Sequence, residues 1–189
     1  MTGRPAELVA PTAEALELVP TSNLALAPAV VHLVETAVPH RAILDVGPGF
    51  GKYGVLLREY LNEKPERLDA IEVEPSYVTP RLEALYDELF VGDVLDHGHA
   101  FFAAYDVVVF VDVIEHLEKD AGLELLARIP GRVVLCTPEE FFSNGPGLPD
   151  SETHRSLWTR ADFESVRPVE ADLSSLGGIV VRLGPMLRE

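Results

Sequence analysis

The stretch ILDVGPGFGKYG (43–54) decides how the rest of the chain is read. A short apolar run carries one acid, Asp45, and passes into glycines at 47, 49, 51 and 54. Apolar residues followed at once by close glycines mark a strand that turns tightly into a helix. Backbone there can approach a ligand where a Cβ would collide. Two glycine codes overlap. Counted from Asp45 the stretch is D-x-G-x-G-x-G, and counted from Gly49 it is G-x-G-x-x-G, the dinucleotide pattern. The second starts late, because Gly47 holds the place directly after the strand. An acid beside the turn also repels a pyrophosphate and favours a cationic ligand. A phosphate-cradling P-loop fails too, since Val46 and Tyr53 stand where it needs Gly and Ser or Thr.

Outward from this turn, apolar runs at 42–46, 68–73, 88–91, 105–111 and 132–137 alternate with helix-like runs at 53–61, 76–86, 99–104 and 119–129. Such alternation predicts a parallel sheet with helices on both faces. VVVF (107–110) is apolar throughout, as in a central strand buried on both sides. Two further strand-like runs, 167–173 and 178–183, have only SSLGG (174–178) near their junction and predict a terminal hairpin. The expected fold class is therefore α/β: a Rossmann-like, doubly wound, mostly parallel seven-stranded sheet with a C-terminal antiparallel hairpin. An N-terminal helical cap segment (1–39, with a helix over 23–38) precedes a core of 40–189, and 189 residues suit one domain.

Open α/β sheets bind ligands beyond the carboxyl ends of their strands, so the residues after each strand are the candidates. After the second strand come Glu72 and Val73, and an acid there can accept from both hydroxyls of a ribose. After the third come Asp93 and Val94, a carboxylate for an exocyclic amine and an apolar contact for a purine. After the fourth, DVIEHL (112–117) crowds Asp112, Glu115 and His116 together, although a solvated helix start would also explain the last two. A histidine can act as a base near neutral pH. After the fifth, TPEEFFSNGPGLPDSETHRSLWT (137–159) is long, rich in Gly and Pro, and carries Phe141, Phe142, His154 and Trp158. A loop of that length predicts a lid over the acceptor.

Apolar residues make up 47% of the chain and charged residues 24%, the balance of a globular protein. The net charge of −16, from 31 acids against 15 bases, argues against a nucleic-acid partner. Arg128, Arg132, Arg155 and Arg160 leave a local basic patch open. No apolar run approaches the ~20 residues of a membrane span, and the N-terminus lacks the basic-then-apolar pattern of a secretory signal. With a single cysteine, Cys136, the expectation is a cytoplasmic protein without a membrane partner. Oligomeric state is not legible.

These strand-end residues resemble the class I S-adenosylmethionine-dependent methyltransferases. Asp45 to Gly51 resembles their glycine-rich first motif, Glu72 their ribose acid, Asp93 their adenine-side acid, and 112–117 their fourth-strand motif. More narrowly, FGKYG (50–54), IEVEPSYVTPRLEALYDELFVGD (71–93), DVIEHLEKDAGLELL (112–126) and HRSLWTRADF (154–163) are similar to a bacterial and archaeal branch of small methyltransferases. The resemblance covers about 40–185. It implies S-adenosyl-L-methionine as cofactor, held by Asp45, Gly47, Gly49, Gly51, Glu72, Val73, Asp93, Val94 and Asp112. It implies Asp112, His116 and His154 as catalytic residues, with the methyl group passing to oxygen or nitrogen of a small-molecule acceptor. A protein of the same fold that binds the cofactor without transferring anything stays open. A nicotinamide oxidoreductase is a third reading, against which Asp45 argues.

A related pattern, E-x-x-E-H, accompanies a divalent metal in small-RNA 2′-O-methyltransferases and ubiquinone-pathway O-methyltransferases. The RNA enzymes also carry a later histidine before W-T, rather like His154. Here Asp112 replaces the first Glu, and Leu117 stands where the RNA enzymes have a further histidine, so the metal stays undecided.

Overall fold

The structure is a computed structural model, and it describes residues 22–140 and 149–186. Phe141, Phe142 and the first 21 residues of the expected cap segment lie outside the described residues. The strands are β1 (Ala42–Val46), β2 (Arg67–Glu72), β3 (Leu89–Val91), β4 (Val107–Val111), β5 (Arg132–Pro138), β6 (Val169–Asp172) and β7 (Gly178–Leu183). The helices are α1 (Ala27–Glu35), α2 (Lys52–Tyr60), α3 (Pro80–Glu83), α4 (His99–Phe102), α5 (Lys119–Arg128) and α6 (Arg160–Val166). The strands form one seven-stranded sheet in the order β3-β2-β1-β4-β5-β7-β6. β1 to β5 run parallel, and β7 lies antiparallel between β5 and β6. The expected fold class is the one observed.

Side-chain alternation splits the core into two layers. Val107, Val109 and Val111 of β4 face the layer holding Val30, Leu33 and Val34 of α1, Leu57 of α2 and Leu82 of α3. Val108 and Phe110 face Phe102 of α4, Leu125 and Leu126 of α5, and Phe163 of α6. All five residues of β4 are therefore buried, which is why its sequence carries no polar alternation.

Three local readings change. The helix expected over 76–86 is a turn at Pro75–Tyr77 followed by the short α3. Thr79 precedes Pro80 and is driven to extended φ −126°, ψ 157°, so the first turn cannot run into the second. The helix expected over 23–38 begins as a 3-10 turn, with Asn23 accepting from Ala25 N at 3.1 Å, before α1 takes over with Pro28 in its first turn. Helix α6 is absent from the expectation altogether. Among the described residues no helix is long and apolar enough to cross a membrane.

Candidate functional site

Crossovers leave β1 and β4 toward opposite edges of the sheet, so a crevice opens where the strand order reverses. A cavity of about 1600 Å³ lies over it. Gly47, Gly49, Glu72, Val73, Asp93, Val94, Asp112, His116 and His154 all line this cavity, whereas Asp45 and Gly51 do not. One space thus joins most of the residues that the sequence scattered over the ends of five strands.

The glycine turn forms one wall. Gly47, Gly49 and Gly51 take φ values of 66°, 54° and 82°, a left-handed region costly to residues with a Cβ. Glu72 braces the turn: its Oε2 accepts from Gly49 N at 3.0 Å and its Oε1 from Glu74 N at 2.9 Å. Burial pushes its carboxyl above the usual range. Beyond it, Asp93 accepts from Leu95 N at 2.8 Å, and Val94 sits buried beside it.

Asp45 lies beneath the turn, 2% exposed, and accepts from the Tyr86 hydroxyl at 2.6 Å. Burial, with Glu72 adding to it, raises the Asp45 carboxyl from its usual 3.8 to about 7 against the Tyr86 bond. The expectation that this acid would face a cationic ligand meets a different geometry, because its side chain points into the layer of α2 and α3. Gly54 makes room for the same tyrosine: a Cβ there would stand 2.5 Å from the Tyr86 oxygen.

The opposite wall is built at the end of β4. Asp112 takes φ 52°, one of two described non-glycine residues with a left-handed backbone. Burial raises its carboxyl to about 6, while Lys52 and the Asn23 backbone pull it down. Lys52 in turn donates to Ser22 Oγ at 2.7 Å and Ser22 O at 3.1 Å, tying the start of the described chain to the cavity rim. Next comes the turn Ile114–His116. Glu115, 2% exposed, accepts from Thr137 Oγ1 at 2.9 Å through Oε2, while its Oε1 is buried without a hydrogen-bond partner. Burial, then the nearby Asp112, raises the Glu115 carboxyl to about 8.

His154 reaches this turn because residues 155–158 are strapped along it. Arg155 N and Ser156 N donate to Glu115 O at 2.8 and 3.0 Å, Ser156 Oγ to Leu117 O at 2.8 Å, and Trp158 Nε1 to Ile114 O at 3.0 Å. Trp158 is no lid aromatic, as the sequence suggested. It is 1% exposed, stacks on Phe163 with centroids 5.2 Å apart, and lies under Lys119 Nζ at 4.1 Å. The strap sets the His154 ring edge-on to His116, centroids 4.9 Å apart. Burial lowers both imidazoles, His116 more directly and His154 also through its neighbour, which keeps both neutral and able to accept a proton.

One ligand atom each from Glu115, His116 and His154 lie within 4.8 Å of one another, a mixed oxygen and nitrogen set that a divalent cation could use. Sequence reasoning gave no site role to Lys52, Tyr53, Tyr77 or Glu152, and placed Arg155 only in a basic patch, yet all five line the cavity. Only Lys52 carried a visible signal, as a cation inside the glycine motif.

No family model matches the chain, and no curated protein does. Solved structures share its architecture at low identity. The N-terminal domain of EvdMO1, solved with S-adenosylhomocysteine bound, superposes with TM-score 0.60 at 15% identity over 92% of this chain and 85% of that one. CalS10, an amino pentose methyltransferase from Micromonospora echinaspora solved with S-adenosylmethionine, gives 0.55 at 14% over 83% and 89%. A Rhodobacter sphaeroides protein named for zinc-dependent alcohol dehydrogenases gives 0.61 at 9% over 82% and 88%. The sheet order, the strand-end residues and these superpositions agree: the chain has the fold of the class I S-adenosylmethionine-dependent methyltransferases.

Proposed function

We propose that this protein transfers a methyl group from S-adenosyl-L-methionine to oxygen or nitrogen of a small-molecule acceptor. The observation carrying this reading is that a single cavity joins the glycine turn and Glu72 to Asp112, His116 and His154. The residues fit the cofactor. Gly47 and Gly49 leave bare backbone on the cavity wall, Glu72 has carboxylate oxygens for a ribose, and Asp93 and Val94 suit a purine. When bound, the cofactor supplies a methyl group on a cationic sulfur.

This chain's contribution is then placement and proton handling. Holding the acceptor in line with the methyl group accounts for much of the acceleration in such a displacement. His116 or His154, neutral by burial, takes the proton from a hydroxyl or ammonium acceptor. Asp112 lines the same wall, and the segment from Ser22 to Leu24 forms part of the rim. The acidic lining and the net charge of −16 weigh against a polyanionic acceptor.

Titration calorimetry with S-adenosylmethionine, S-adenosylhomocysteine and NAD tests the reading. Binding of either sulfur nucleoside in preference to NAD is expected. A preference for NAD, or no binding of the sulfur compounds, overturns it.

A further inference from the structure

The hairpin between β6 and β7 carries a side chain unsuited to its turn. Ser175 and Gly178 exchange backbone hydrogen bonds in both directions, at 3.0 and 2.9 Å, so Leu176 and Gly177 form a two-residue loop. Both have positive φ, 51° and 79°, the pattern of a type I′ turn, whose first place favours asparagine or glycine. A leucine there is strained by its own Cβ. It also stands 69% exposed. The chain thus accepts a backbone cost for an apolar side chain kept in the open. The other described non-glycine residue with a left-handed backbone is Asp112, and both line the same cavity. Strain of this kind gathers at ligand sites.

A second exposed leucine lines the same space. Leu24, 67% exposed, opens the 3-10 turn Leu24–Leu26 and borders the cavity together with Leu26, Pro138 and Leu176. The two lips are joined. Asn23 Nδ2 donates to Leu176 O at 3.4 Å, and Leu26 packs so tightly on Gly178 that a Cβ there would lie 2.4 Å from Leu26 Cδ1. The backbone of the same Asn23 meets the Asp112 carboxylate. Beside them, Pro138 pairs with Gly178 directly after Thr137, whose hydroxyl donates to Glu115. In the sheet order this corner lies at β5 and β7, on the side of β4 away from the glycine turn and Glu72 at β1 and β2.

We propose that Leu24 and Leu176 form an apolar subsite that selects methyl acceptors carrying a ring or alkyl group beside the reacting atom. The proposal rests on the methyl-transfer reading above and names the substrate class of that site. Asp112, His116 and His154 suit the reacting oxygen or nitrogen, whereas the leucine side chains offer it nothing to hydrogen-bond. An apolar group seated between the lips takes two exposed leucine side chains out of water, a gain that a fully hydrated acceptor does not provide. Asparagine at 176 would relax the turn, so the leucine is explained by what it contacts in the cavity rather than by the hairpin.

The test is an NMR titration of the full chain with ¹³C-methyl-labelled leucine, saturated with S-adenosylhomocysteine, using benzyl alcohol as the probe and glycerol as its hydrated counterpart. Expected are saturable methyl shifts of Leu24 and Leu176 with a Kd on the order of 1 mM, at least about tenfold tighter than for glycerol. Leu157 and Leu173, exposed but outside the cavity lining, should not respond. Leu176→Asn should raise the thermal midpoint by about 2–4 °C, by relieving the turn. It should nevertheless weaken benzyl alcohol about fivefold to tenfold, read from the Leu24 methyls. Leu24→Ala should weaken the probe to a similar extent, read from Leu176. A lower midpoint in Leu176→Asn would give the leucine a packing role in the fold and overturn the proposal. Equal response to glycerol, shifts shared alike by Leu157 and Leu173, or none at Leu24 and Leu176 would do the same. Leucine shifts that follow protein concentration instead of the probe would assign the lips to a second copy of the chain, and the proposal would fall. Repeating the titration without S-adenosylhomocysteine separates the two claims. A protein that ignores the nucleoside yet takes benzyl alcohol at the leucines refutes methyl transfer alone, and one that binds the nucleoside without a leucine response refutes the subsite alone.

Discussion

The hydroxyl of Tyr86 stands 2.6 Å from Asp45 Oδ2 beneath the glycine turn, in a space that exists because residue 54 is glycine. The pair supports the ligand wall from behind. Tyr86→Phe should leave a buried carboxyl oxygen without its donor and cost about 1–3 kcal/mol in a urea melt. Gly54→Ala should act in the same direction, by pushing the tyrosine off the acid.

The same acid makes stability depend on pH. The Asp45 carboxyl moves from its usual 3.8 to about 7 in the folded protein, so the folded state holds a proton that the unfolded chain releases. Its contribution is fully present below the unfolded value and is lost as pH rises through about 7. Thermal midpoints should therefore be higher at about pH 5.5 than at about pH 8. Asp45→Asn should reduce that slope, the remainder coming from Asp112 and Glu115, whose carboxyls are also raised; an unchanged slope would place the proton elsewhere.

Trp158 meets Gly122 of α5 so closely that a Cβ there would lie 2.6 Å from the indole Cζ2. Gly122→Ala should displace the indole and with it the strap that holds His154. Expected are a loss of about 1–3 kcal/mol and a drop in single-turnover rate larger than any drop in S-adenosylhomocysteine affinity by calorimetry. Equal loss of both would mean that the strap does not serve the acceptor end.

Glu72 divides the functions the other way. Glu72→Ala removes the acceptor for Gly49 N and Glu74 N and should weaken S-adenosylhomocysteine by about tenfold to a hundredfold. At saturating cofactor the transfer rate should recover most of its value.

Asp112 combines a left-handed backbone with a cavity-facing carboxylate. Asp112→Gly should keep the melting midpoint, since glycine accepts φ 52°, yet slow transfer about a hundredfold. Asp112→Val should cost about 1–3 kcal/mol as well. His116→Ala and His154→Ala should likewise slow transfer more than they weaken cofactor binding. Normal turnover in all of these would remove the residues from the mechanism.

What the sequence disclosed follows from how far apart the deciding contacts lie. The parallel strands were legible because a strand buried on both faces, such as VVVFV at β4, needs apolar residues whatever surrounds it. The glycine turn was legible because the left-handed backbone demands glycine locally. Helix α6 was not: its seven residues bury only Phe163 and show no period, although Thr159 and Asp162 form a reciprocal cap. Trp158 looked like a loop aromatic because Gly122 and Phe163, which enclose it, belong to other segments. Lys52 was visible as a cation inside the glycine motif, but its role was not, because its partner Ser22 lies 30 positions earlier. Asp45 was found as a residue but given the wrong outlook, since only folding reveals Tyr86 above it.

The strap along the Ile114–His116 turn has a consequence for how such a protein can diversify. The end proposed to hold the nucleoside is assembled mainly from neighbouring strands, β1 to β3, with Ser151 and Glu152 of the distant segment reaching Glu74 and Tyr77 at its edge. The end proposed to react depends on a ribbon docked by two backbone amides and by the Ser156 and Trp158 side chains, so Arg155 and Leu157 can change their side chains without undoing the dock. Replacing Arg155, which lines the cavity, while sparing Ser151, Glu152, His154, Ser156 and Trp158 is thus a route to new acceptors. Inheritance of one part and turnover of the other would leave relatives alike in shape and nearly unrecognisable in letters.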